Sequence, residues 1–202
     1  MTMTEPAPRP ETSQTVTVGG KTIMLRPFVR ADAGAIVAFA GKMPLHDLLF
    51  LSRDIREPRV VSAWLDQAEN GQITSTLAID TSGAIVGCTA LVRDELSWSR
   101  HVGEVRLLLL PEGRGTGLGR VLAEHCIATA RDLGLAKLTV RLTPDQGAAL
   151  KVFEDMGFRP EALLRDHVQD DEGVTHDIAI MALDLMRHDA THAAYFTGGA
   201  EE

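Results

Sequence analysis

A chain of 202 residues, 45% hydrophobic and 24% charged, holds enough apolar material for one full core and carries the charge of an ordinary globule. Its formal net charge of −8 argues against a protein that grips nucleic-acid backbone over a broad face, which needs clustered Lys and Arg; it suits a cationic acceptor better. Cys88 and Cys126 are too few for a disulfide framework or a zinc site, so no metal is expected and a reducing, cytoplasmic compartment fits.

MTMTEPAPRPET lacks the apolar centre of a signal peptide, and no uninterrupted apolar run approaches the roughly 20 residues of a membrane helix, so no membrane partner is expected. Residues 1–14 read as a disordered tail, 15–186 as one domain, and 187–202 as a flexible tail in which Tyr195 and Phe196 could dock. TVTVGGKTIMLRP places two short strand segments around Gly19 and Gly20, either a hairpin or one bulged strand. Asp32 is placed to cap a helix through Ile36, Val37 and Phe39. In the next helix Pro58 fits the first turn, Val61, Trp64, Leu65 and Ala68 share a face, and Asn70-Gly71 stops it. Between them, Leu48 to Leu51 is too apolar for a plain linker and suits either the core or a wall of an acceptor pocket.

Ile73 to Ile79 and Ala84 to Val92 are strand-like runs around the turn residues Asp80 to Gly83, and Val102 to Leu110 is a third strand. Leu118, Leu122, Cys126, Ala130 and Leu133 mark a helix face closed by Gly134. Lys137 to Leu142 reads as a strand, and Ala149, Val152, Phe153 and Met156 as the face of a helix ended by Gly157. Glu161 to Val168 and Thr175 to Leu185 are closing strands around Asp170 to Gly173. A mixed sheet with helices on both faces buries this order, because the early strands pair as a meander and a strand-helix-strand passage makes a parallel neighbour.

RGTGLG, Arg114 to Gly119, joins the third strand to the following helix. Small residues let backbone N–H groups crowd around an anion, and the helix adds the positive end of its dipole. The alternating Gly113, Gly115, Gly117 and Gly119 fit neither the dinucleotide fingerprint nor a Walker loop, which disfavours a nucleotide-binding domain. A tight turn that only reverses a strand into a helix is the bland alternative. Read as R-x-x-G-x-G on Arg114, Gly117 and Gly119, the segment resembles the acetyl-CoA loop of the GNAT (GCN5-related) N-acetyltransferase family. The element order from about Thr15 to Leu185 resembles that family too, as does DQGAALKVFEDMGF, Asp145 to Phe158. The resemblance implies an α/β GNAT fold: a mixed, mostly antiparallel central sheet of six to seven strands with helices on both faces.

It further implies transfer of an acetyl group from acetyl-CoA to a primary amine by direct attack in a ternary complex, the acceptor being a small amine, an amino acid or a protein amine. Backbone groups of Arg114, Gly115, Thr116, Gly117, Leu118 and Gly119 would hold the diphosphate, with charge-assisted bonds from Arg114 and Arg120. Unpaired main-chain groups of Leu108, Leu109 and Leu110 would meet the pantetheine arm. Gln146 stands where an asparagine is common and contacts that arm; Phe153 stands where a tyrosine commonly protonates the thiolate, and either shapes the cofactor slot or packs in the core. Water, His167 and His176 remain as proton donors, the two histidines being placed to face each other across the closing hairpin. Glu104, ten positions before Arg114, stands where some members carry a glutamate base; an ion pair with Arg106 is its structural alternative. His101 is placed to orient it. Cys88 and Cys126 read as small buried residues, not acyl carriers.

The acceptor is expected around Leu45 to Asp54 and Arg165 to His176, where Asp166, Asp170, Asp171, Glu172 and Asp177 either attract a cation or are simply solvated. A catalytically weak or inactive acyl-CoA-binding sensor of the same fold is the alternative function. The sheet edges leave a homodimer open.

Overall fold

Alternation at TVTV and TIML produces a hairpin. β1 (Gln14–Val18) and β2 (Lys21–Pro27) pair antiparallel around Gly19 and Gly20, whose φ of 56° and 74° give the turn its left-handed backbone. The structure, a computed structural model, describes residues 13–186. The expected tails, with Tyr195 and Phe196, lie outside the described residues except for Ser13 and Gln14, the second of which already belongs to β1.

β3 (Ile73–Asp80), β4 (Ile85–Val92) and β5 (Val102–Leu109) continue the antiparallel meander. β5 pairs in parallel with β6 (Lys137–Leu142), and β8 (Thr175–Asp184) lies between β6 and the edge strand β7 (Arg159–Gln169). The order is β1-β2-β3-β4-β5-β6-β8-β7. The expected mixed, mostly antiparallel sheet is present; it holds eight strands, above the six to seven expected, because the first segment is a two-stranded hairpin.

α1 (Ala33–Ala40) and α2 (Pro58–Glu69) cover one face, burying Ile36, Phe39, Val61 and Leu65 against Leu77, Cys88 and Leu108. α3 (Leu118–Asp132) and α4 (Gly147–Asp155) cover the other, where Cys126, Ile127 and Phe153 meet Leu91, Val105 and Val140. Successive strand residues point to opposite faces, so β5 feeds Val105 to one core and Leu108 to the other.

Asp32 precedes α1 as expected but makes no side-chain cap on it. Its carboxylate is bound by both terminal nitrogens of Arg26 at 2.7 Å and accepts the Val29 N–H at 3.0 Å, tying the end of β2 to the start of α1. The Arg26 hydrogen bonds hold the Asp32 carboxyl below the ordinary carboxylate range, outweighing partial burial. The pair therefore stabilises the fold above that range, and its contribution disappears as pH falls through the lowered value. Asp32→Asn should cost about 1–3 kcal/mol at neutral pH in urea unfolding, with the gap to wild type closing below about pH 4. A gap that persists unchanged in acid would contradict the assignment.

Candidate functional site

β5 and β6 pair only over Val102 to Val105 and Lys137 to Val140. Beyond those residues β5 stays on β4 and β6 stays on β8, so the parallel neighbours part. The Leu110 N–H donates to the Val86 carbonyl at 3.0 Å, which makes Leu108 and Arg106, counting back by twos, hydrogen-bonded partners of β4. Leu107 and Leu109 alternate with them and turn their main-chain groups toward the gap. Of Leu108, Leu109 and Leu110, expected to offer free main-chain groups, only Leu109 faces the gap; the Leu110 carbonyl accepts from the Gly113 N–H at 2.9 Å. Leu107 takes the place of the other two.

A single 3₁₀ turn at Pro111–Gly113 leads into the glycine loop. Gly115 (φ 71°) and Gly117 (φ 95°) occupy the left-handed region, and Gly117 is the N-cap of α3. The Thr116 hydroxyl donates to the Gly113 carbonyl at 2.7 Å and accepts the Leu118 N–H at 3.3 Å, which fixes the bend. The N–H groups of Gly115, Thr116, Gly117, Gly119 and Arg120 have no acceptor among the described residues, and they gather at the positive end of a 15-residue helix. A Cβ on Gly119 would meet only Leu109 Cδ2, at an ordinary 3.8 Å, so packing within the protein does not demand glycine there. The open helix end and its unsatisfied donors fit an anion approaching the backbone closely. The two expected arginines border this cradle and are paired here within the protein: Arg120 Nε along the helix with Glu124 at 2.9 Å, and Arg114 with Asp47, its Nη2 also 3.4 Å from the Leu109 carbonyl oxygen.

Asp47 lies on a 3₁₀ turn, Leu45–Leu48, and also accepts from Gln146 Nε2 at 3.4 Å. Beside it His46 Nε2 is 2.8 Å from an Asp145 carboxylate oxygen and 3.2 Å from the Thr143 hydroxyl. Burial would push the Asp145 carboxyl up, but the hydrogen bonds from Thr143 and His46 outweigh it and hold it below the usual range. Gln146 Oε1 is buried with no partner, a free acceptor just past the end of β6. The expected pairing of His167 with His176 is replaced by another. A bulge in β7 around Asp166 (φ 48°) brings Val168 opposite His176 and leaves His167 exposed. His176 instead sets its ring edge-on to His46, centroids 5.1 Å apart, with Nε2 2.8 Å from Asp170.

On the α1 and α2 face, a cavity of about 190 Å³ opens between α2, residues 51–55 and the three strands β3 to β5. Trp64 is fixed as one wall: Nε1 donates to Ser75 Oγ at 2.8 Å, and the ring packs tilted on Phe28 at 4.7 Å. Arg106 and Leu108 of β5 also line it. Glu104 shares their face, lies across the ladder from the lining residue Val92, and accepts from Arg106 Nε at 2.7 Å. The ion pair is thus present, and it holds the carboxylate at the cavity's border. His101 is exposed, and its carbonyl binds the Ala136 and Lys137 N–H groups. The apolar run divides: Leu48 and Phe50 are buried in the core, while Leu51 lines the cavity.

Phe153 packs edge-on against Phe158 in the core, centroids 5.1 Å apart. Burial pushes the Cys88 thiol up to about 12 and the Cys126 thiol to about 11, so neither is a thiolate at neutral pH. Among the described residues no trio of His, Cys, Asp and Glu is grouped to hold a metal, and no helix is long and apolar enough to cross a membrane. Sequence reasoning placed the acceptor around Leu45 to Asp54 without singling out His46, Asp47 or Arg53, and gave Arg106 only as an ion-pair partner of Glu104. For Arg106 the period of two from Leu108 was a usable signal; the others meet their partners only through tertiary folding.

One strand thus presents main-chain groups to a gap beside a helix end with unpaired N–H groups, and side chains to a cavity on the sheet face. Residues 42–158 match the model of the Acetyltransferase (GNAT) family. The chain is 32% identical over 75 residues to the [ribosomal protein bS18]-alanine N-acetyltransferase of Escherichia coli (strain K12), a match covering 37% of this chain and 50% of that protein. The chain spans about half the length of the curated relatives it matches. An acetyltransferase of the GNAT family from Streptococcus pneumoniae shares the fold at a TM-score of 0.67 and 23% identity, over 80% of this chain and 99% of that one. Spermidine N-acetyltransferase from Vibrio cholerae, solved in complex with CoA and spermine, does so at 0.69 and 17%, over 82% and 97%. The chain belongs to the GNAT acetyltransferase family.

Both cysteines should resist iodoacetamide at pH 8 while the protein is folded and alkylate once it is unfolded in guanidinium. Rapid stoichiometric labelling of the folded protein, read by mass spectrometry, would contradict their burial.

Proposed function

We propose that this chain is an acetyl-CoA-dependent N-acetyltransferase that moves an acetyl group directly to a primary amine in a ternary complex. The carrying observation is the set of unsatisfied N–H groups at Gly115 to Arg120, joined through β5 to the cavity that Arg106 and Leu108 line. The names of the relatives support the reading: one acts on a ribosomal-protein alanine, and another, a spermidine acetyltransferase, was solved with CoA. Two buried thiols without a disulfide suit a reducing, cytoplasmic setting.

The carrier supplies an activated acyl thioester. The loop amides bind its diphosphate, main-chain groups of Leu107 and Leu109 align its arm, and Gln146 offers an acceptor. A lysine-like ammonium is deprotonated in only about one molecule in a few thousand at pH 7, so a base raises the rate. Glu104 takes this proton, with Arg106 fixing the orientation of its carboxylate. Balanced over the turnover, one N–C bond forms, one C–S bond breaks with its electron pair going to sulfur, and one proton is left in solution. Phe153 has no proton to give the departing thiolate; with a pKa near 8.5 it leaves as the anion or is protonated by water. His167, exposed on β7, stands outside this set. Phe153 also favours a second reading, an acyl-CoA-binding sensor with little or no turnover.

Calorimetry with acetyl-CoA and free CoA, paired with thiol release across an amine panel, tests both readings. Saturable heat with thiol release supports the enzyme, heat without release supports the sensor, and no heat at millimolar titrant overturns both. Glu104→Gln should lower kcat about 100-fold and flatten the rise of rate with pH; an unchanged rate and profile removes Glu104 as the base. Gly119→Ala should keep urea stability within about 0.5 kcal/mol of wild type, since its Cβ finds room. The same variant should weaken binding of free CoA about ten-fold.

A further inference from the structure

The cavity carries information about the acceptor, resting on the acetyltransferase reading above. Its charged lining residues are Arg53 and Arg106, with no carboxylate among them; the nearby Glu104 is held by Arg106. Arg53 has no hydrogen-bond or ion-pair partner among the described residues, whereas its neighbour Arg56 is bound by Asp54 and Asp171. The remaining walls are mostly apolar, with Leu51, Ile55, Val60 and Trp64 prominent. Trp64 has given its polar hydrogen to Ser75, so it offers the cavity only ring surface. Four of the five acidic residues expected to draw a cation accept hydrogen bonds or pair within the protein, Asp166 from the Thr175 hydroxyl, and the fifth, Glu172, lies exposed at the hairpin tip. Asp170 accepts the Glu172 and Val174 N–H groups and faces His176, Asp177 accepts the Asp166 N–H, and Asp171 binds Arg56.

We propose that the acceptor is a free amino acid with a small apolar side chain, its carboxylate paired with Arg53, its side chain on the Trp64 wall and its ammonium directed to Glu104. A planar guanidinium with no internal partner binds a carboxylate through paired, charge-assisted bonds. The cavity, about 190 Å³ and open to one side, has room for a small molecule of this kind. A polyamine would instead bring a second positive charge toward Arg53 and leave the apolar wall without an apolar group to cover. A zwitterion carries no net charge, so the chain's −8 does not repel it at long range.

The test compares leucine with isoamylamine and valine with isobutylamine, the same molecules without the carboxylate, alongside spermidine, in thiol release from acetyl-CoA. In wild type the amino acids should exceed their decarboxylated partners at least about ten-fold in kcat/KM. Arg53→Ala should raise KM for leucine about ten-fold with kcat within about two-fold, and leave the calorimetric Kd for free CoA unchanged. Arg53→Glu should reverse the preference toward isoamylamine, and leucine titrated into the CoA-bound protein should lose its heat in both variants. Better turnover of isoamylamine or spermidine by wild type, or an Arg53→Ala effect equal on leucine and isoamylamine, overturns the carboxylate assignment and leaves the acetyltransferase reading standing. Absence of both acetyl-CoA heat and thiol release with every amine overturns the acetyltransferase reading itself, and this inference with it.

Discussion

The parallel contact between β5 and β6 ends at Val105 and Val140, and the arrangement of the site depends on that limit. Had the two strands stayed paired to their ends, the Leu107 and Leu109 main chain would be consumed in a ladder. Past that point each follows its antiparallel partner on the outer side, β5 staying on β4 to Leu109 and β6 on β8 to Leu142. Opening a ladder inside a sheet leaves backbone donors and acceptors that must find other partners. The gap in that sense holds hydrogen-bonding capacity the sheet leaves unused, apart from the Leu109 carbonyl, which accepts from Arg114 Nη2 at 3.4 Å.

The period of two then lets a single strand border both the gap and the cavity. Residues 104, 106 and 108 of β5 face the cavity beneath α2, while 105, 107 and 109 pack beneath α3. In the proposed function, a carrier along the strand's edge and an acceptor on its face would therefore meet without any loop having to bring them there. Rigid strands hold such positions better than loops do, which matters where a displacement of about 1 Å costs rate. The loop elements do a different job. Residues 44–57 form a rim tied to the carrier loop by Asp47 and Arg114, to the end of β6 by His46 with Thr143 and Asp145, and to the closing hairpin by Arg56 and Asp171. These links are half-exposed and individually weak, so the rim can be held in place and still rearrange at small cost.

Local chemistry made much of this legible in the sequence. The element order, the glycine turn at Arg114 to Gly119, the helix stops at Gly134 and Gly157 and the burial of both cysteines all follow from short-range pattern and residue type. What the sequence hid was of another kind. The register of a ladder decides whether Leu108 or Leu109 faces outward, and two extra residues between Leu164 and Val168 decide which residue meets His176; neither leaves a mark in composition. His46 and Thr143 are 97 positions apart and meet only because the segment between α1 and α2 folds across the end of β6. Leu48 to Leu51 divided between core and cavity because consecutive residues of a loop point in different directions, so one run can serve both.

Charge is where whole-chain reasoning and local structure part most clearly. A net −8 and an acid-rich closing hairpin invite the picture of a surface that gathers cations. Yet a carboxylate that accepts two backbone N–H groups and a histidine, as Asp170 does, is holding a turn together, and its lowered pKa records those bonds. The His176 contact is the largest cause of that lowering, ahead of the Val174 amide. Asp177 likewise receives the displaced Asp166 N–H at the bulge and so stabilises an otherwise unfavourable left-handed residue. A ligand in a recess responds to the few unpaired groups beside it and only weakly to charges a Debye length away, about 8 Å at physiological salt. The sign of the cavity is therefore set by which side chains the fold leaves unpartnered, and there the unpartnered charge is a guanidinium.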